Sequence, residues 1–144
     1  MIEQDTIRLL RECDAGVEMG VTAIDEVLPQ VCSNELRQCL ADCKIRHEAL
    51  KNEVEILLEN YHDKGKDPNP ISKGMSWIKT GVKMGLDGSD NTIAELMTDG
   101  CNMGVKSLSR YLNQYKAADE TSKNITKRLI GLEEQLAVDI RKFL

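Results

Sequence analysis

Aromatic side chains are scarce in this chain: one Trp, one Phe and three Tyr, 3% of all residues. An all-β core leans on aromatic and β-branched residues, so a sheet protein is a poor fit. Basic residues are outnumbered, 19 Lys and Arg against 24 Asp and Glu, for a formal charge of −5. Gripping a phosphate backbone needs a concentrated Lys/Arg footprint, so no nucleic-acid partner is expected. No uninterrupted apolar run approaches the ~18 residues of a membrane span. The opening "MIEQDTIRLL" lacks the basic-then-apolar order of a signal peptide and points to the cytoplasm. In that compartment the five Cys read as reduced thiols rather than a disulfide framework. A phosphate-cradling loop is missing too, because "GVKMG" and "GCNMG" fall within helical patterns and follow no strand.

What the chain does have is helical periodicity. Its 144 residues suit a single domain over 1–144 with one core. A first stripe runs Leu10, Cys13, Val17, Val21, Ile24 and Leu28 until Pro29, with Asp5 or Thr6 as the expected cap. Ser33 opens a second, whose seam is Leu36, Leu40, Cys43, His47, Leu50, Val54 and Leu57, ending around Tyr61. Its steps of four and three are those of a bundle helix. "HDKGKDPNPISKG" then breaks the pattern. A short amphipathic stretch follows from Met75 to Leu86, and "DGSDNT" breaks the chain again. The third long stripe has Ile93, Leu96, Gly100, Met103, Leu108, Tyr111 and Tyr115; the fourth has Ile125, Leu129, Leu132, Leu136, Ile140 and Phe143. For the third helix Thr92 and Glu95 offer a capping box, with Ser89 and Asp90 as rivals. Short links make antiparallel hairpins. A connection of about 30 residues between helices 2 and 3 is long enough to run back along the bundle.

One pattern occurs twice. "GVEMGVTAI" at 16–24 and "GCNMGVKSL" at 100–108 share the frame Gly-x-x-Met-Gly-Val, 84 positions apart. Glycine inside a helix costs ~1 kcal/mol relative to alanine, so the matched glycines need a reason. Close approach of two helix backbones is the expected one, with helices 1 and 3 related by a pseudo-twofold axis.

The long crossover between two hairpins resembles the ferritin-like four-helix bundle. "GMSWIKTGVKMG" and "LMTDGCNMGVKSLSRYLNQY" are similar to segments of a bacterial family of uncharacterised ferritin-like proteins. Many ferritin-like members are di-iron proteins, with one Glu on each of helices 1 and 3 and Glu-x-x-His on helices 2 and 4. Carried over residue by residue, His47 matches a histidine, but Lys44 stands at its Glu position. Glu133 matches a glutamate, but Leu136 stands where its histidine belongs. Counting seven back from Tyr111 puts Gly104 at the helix-3 Glu position, and the internal repeat puts Gly20 at the helix-1 position. The glycines thus occupy places where the resemblance implies carboxylates, and Lys44 brings positive charge where negative is required.

The expected function follows from that erosion. The chain reads as a metal-free ferritin-like bundle that works by binding or self-association, with no catalytic residues, no cofactor and a homodimer as partner arrangement. The alternative is a metal-binding, redox-active core holding Fe, Mn or Zn. Its ligands would be Glu18, His47 and Glu133, or the helical line Cys39, Cys43 and His47 with Cys13 or Cys101 joining from neighbours. Against it, Cys packs readily as a small hydrophobe, and His47 with Glu133 reads more simply as a buried polar pair. The stretch Met75–Leu86, with Trp77 at the border of its apolar side and Lys73, Lys79 and Lys83 elsewhere around it, suits a crossover packed on its own bundle better than one lying on an anionic membrane.

Overall fold

The structure, a computed structural model, describes residues 2–63 and 89–144. Four long helices account for most of them: α1 (Ile2–Val27), α2 (Asn34–Asn60), α3 (Asp90–Gln114) and α4 (Glu120–Asp139). A 3-10 turn follows α1 at Leu28–Gln30 and another follows α4 at Arg141–Phe143. The expected short helix over Met75–Leu86, with Trp77 and its lysines, lies outside the described residues. Among the described residues there is no strand, and no helix is long and apolar enough to cross a membrane.

Local chemistry sets the boundaries. Pro29 cannot continue α1 and sits in the turn. Ser33 caps α2 by accepting the Leu36 N–H at 3.3 Å, and Asp119 caps α4 by accepting the Ser122 N–H at 2.8 Å. Ser89, not Thr92, caps α3. Asp5 and Thr6 are no caps either, because α1 already begins at Ile2. Their oxygens serve the other hairpin: Asp5 accepts the Ala117 N–H at 3.1 Å and Thr6 the Asp119 N–H at 2.8 Å. At the opposite end Asp90 accepts the N–H groups of Cys32 and Ser33, at 2.9 and 2.8 Å. Thr6 and Asp90 therefore hold the N-cap residue of the opposite hairpin's second helix, and they too are 84 positions apart. The internal repeat extends from the glycines to the links.

Around the bundle the neighbours run α1, α2, α4, α3; α1 and α4 also touch across the middle. In α1, α2 and α4 most of the expected seam positions are buried, but Val21, Leu28, Leu57 and Leu132 are only partly so, as is Phe143 after α4, and Leu58 is buried where Leu57 is expected. Along α3, Ile93, Met97, Cys101 and Leu108 form the buried line, while Met103, expected in the core, is 52% exposed. The buried positions divide into two apolar clusters. One packs Ile24, Val27, Leu36, Leu40, Ile93, Met97 and Ile140. The other packs Leu10, Val17, Leu50, Val54, Leu108, Ile125 and Leu129. Between them each helix contributes one position that is not an ordinary hydrophobe: Gly20, His47, Gly104 and Glu133.

Candidate functional site: a polar layer beneath a glycine groove

His47 is 1% exposed and has acceptors at both ring nitrogens. Its Nδ1 lies 2.8 Å from the Cys43 carbonyl oxygen, the acceptor one helical turn back. Its Nε2 lies 2.7 Å from Glu133 Oε1. A carbonyl can only accept, so Nδ1 carries a proton, and a second proton must lie between Nε2 and Oε1. Burial opposes an imidazolium here, but the side chains of Cys43 and Glu133 outweigh it and raise the His47 pKa to about 10. The layer is thus a charge-balanced pair rather than a free base. Cys101 is buried beside this layer. Burial first, and the Glu133 charge second, hold its thiol far above the ordinary range.

The glycines explain how so large a pair fits. A Cβ on Gly20 would lie 2.8 Å from both His47 Cδ2 and Nε2, closer than real atoms come. A Cβ on Gly104 would touch Glu133 Oε2 at 3.5 Å. Gly20 is therefore bare because the imidazole ring occupies its side-chain space, and close backbone approach is not the reason. Gly100 meets nothing within 4 Å and opens instead into a groove. That groove, about 170 Å³, runs between α1 and α3. Gly16, Gly20, Gly100 and Gly104 line it, Met19, Met97 and Met103 give it apolar walls, and Glu133 lies at its floor. The sequence carried this feature as a repeated glycine spacing; nothing in it told that the glycines face a cleft.

The alternative ligand sets are not assembled. Glu18 turns to the α1–α2 surface and pairs with Lys51, away from His47 and Glu133. Cys43 Sγ reaches His47 Nδ1 at 3.4 Å. Cys39, however, lies with Cys43 in a separate groove of about 190 Å³ on the α2–α4 side. Cys13 sits in the other apolar cluster, hydrogen-bonded to Thr126 at 3.0 Å, with burial pushing its thiol up to about 12. Lys44 does not place its charge in the core: it pairs with Asp25 at 2.7 Å, partly exposed. Among the described residues no three His, Cys, Asp or Glu are arranged to hold a metal ion. A two-metal centre in a helical bundle asks for about four carboxylates. This layer offers Glu133, already matched by His47, and the residues do not fit that group.

No protein-family model, curated protein or solved structure matches the chain. What the layer can do is limited: His47 has no free lone pair for general-base work, and burial raises the thiol pKa of Cys13 and Cys101. A small apolar groove with one charge-balanced acceptor at its base is suited to receiving a side chain or an apolar ligand, not to activating one.

Proposed function

We propose that this chain is a ferritin-like bundle without a metal centre, acting in the cytoplasm by binding and self-association rather than catalysis. The observation that carries the reading is the pair of glycines flanking His47 and Glu133. At the level where the resemblance implies carboxylates on helices 1 and 3, the space is taken by the imidazole or left open as a groove. The pseudo-twofold match of Thr6 with Asp90 supports the two-hairpin plan.

The test is elemental analysis of protein purified without chelator, beside a light-scattering mass. Fe, Mn and Zn well below one per chain, with a mass above 16.1 kDa, are the expected results. Stoichiometric metal that disappears in His47→Ala would overturn the reading in favour of a metal-binding core.

A further inference from the structure

The outer stripe of α3 reads Glu95, Asp99, Met103, Lys106, Arg110. At 100° per residue these five positions fall within a sector of about 80°. All five are exposed, and Met103 at 52% is an apolar side chain among charges. Some charges elsewhere on the surface are matched in pairs, such as Arg128 with Glu53 and Lys44 with Asp25. Among the described residues none of the four charges on this stripe has a partner within the chain.

Their order is antisymmetric about Met103: two acids before it, two bases after it. A helix with that order is complementary to itself when reversed. We infer that a second copy of this chain packs its α3 antiparallel against this face, the twofold axis passing beside Met103. Residue i then lies opposite residue 205 − i of the other copy, the centre falling between Asn102 and Met103. Asp99 faces the partner's Lys106, Glu95 faces the partner's Arg110, and each pair occurs twice because a twofold interface is isologous. Gly100, where a Cβ would meet nothing within 4 Å, leaves room beside Met103. Each Met103 covers the mouth of the glycine groove, which it already lines. A foreign partner would give no reason for acids and bases to be disposed symmetrically about one exposed methionine. This inference rests on the self-association reading and gives it a surface.

The experiment uses the full chain and two half-reversed variants. In one, Lys106→Glu and Arg110→Glu make the face wholly acidic; in the other, Glu95→Lys and Asp99→Lys make it wholly basic. The wild type is expected to be dimeric, more tightly at low salt because the pairs are screened ions. Each variant alone should dimerise at least about 10-fold more weakly, and an equimolar mixture should recover a heterodimer. Circular dichroism melts keep folding separate from association. Met103→Cys should give, on mild oxidation, a disulfide joining position 103 of the two copies, located by mass spectrometry. A wild-type dimer left unchanged by both reversals, with no such cross-link, overturns this surface but leaves self-association standing. A monomeric wild type overturns both.

Discussion

His47 is the residue on which the interior turns. Its folded pKa of about 10 lies above the ordinary value of 6.5, so the folded state binds a proton that the unfolded chain releases. The resulting stabilisation is complete below pH 6.5 and is lost as pH rises towards 10. Cys13 and Cys101, also raised by burial, begin to contribute in the same sense only as the unfolded thiols ionise, near pH 8.5. The window from pH 6.5 to 8 therefore belongs to His47 among these groups. Unfolding by urea should show stability falling by about 1–2 kcal/mol across that window. His47→Gln should flatten this part of the profile; an unchanged slope in that variant would mean the proton is held elsewhere. The pair itself was visible in the sequence as a histidine on an apolar seam. Its charge state was not, because that depends on Glu133 reaching Nε2 from another helix.

At the level of the helix, the glycines separate two effects that composition cannot. Gly20 and Gly131 are both helix-interior glycines, and alanine is the better helix former at either. A Cβ at Gly131 meets nothing within 4 Å, whereas one at Gly20 collides with the His47 ring. Gly131→Ala should raise stability by about 0.5–1 kcal/mol. Gly20→Ala should lower it by about 1–3 kcal/mol, since a doubly hydrogen-bonded buried ring cannot step aside without strain. Thermal melts of the two variants check this directly: opposite signs are expected, and like signs would remove the steric account. The same contrast explains why Met103 was misassigned to the core. The third helix has apolar residues on more than one line, and only its neighbours decide which line is buried.

For the molecule as a whole, the cysteines report how cooperatively the bundle holds. Cys32 is exposed and Cys39 partly so, while Cys13, Cys43 and Cys101 are buried in two different clusters. Iodoacetamide under native conditions should label Cys32 first and Cys39 more slowly. Cys13 and Cys101 should react only at the rate set by opening of the fold, because their thiols are both enclosed and held protonated. Equal slow rates at these two would show that the clusters above and below the His47–Glu133 layer unfold together. A much faster Cys101, which lines the glycine groove, would show that the groove opens on its own.

By itself the sequence determined the four helices, most of their buried positions and their short links, because periodicity, proline and capping residues act over a few neighbouring positions. It also marked Gly20, His47, Gly104 and Glu133 as the unusual positions of an apolar interior. Only the tertiary structure decided what these do together. The contacts that matter join residues as far apart as 47 and 133, and a side chain's charge, exposure and room depend on what the other helices put beside it.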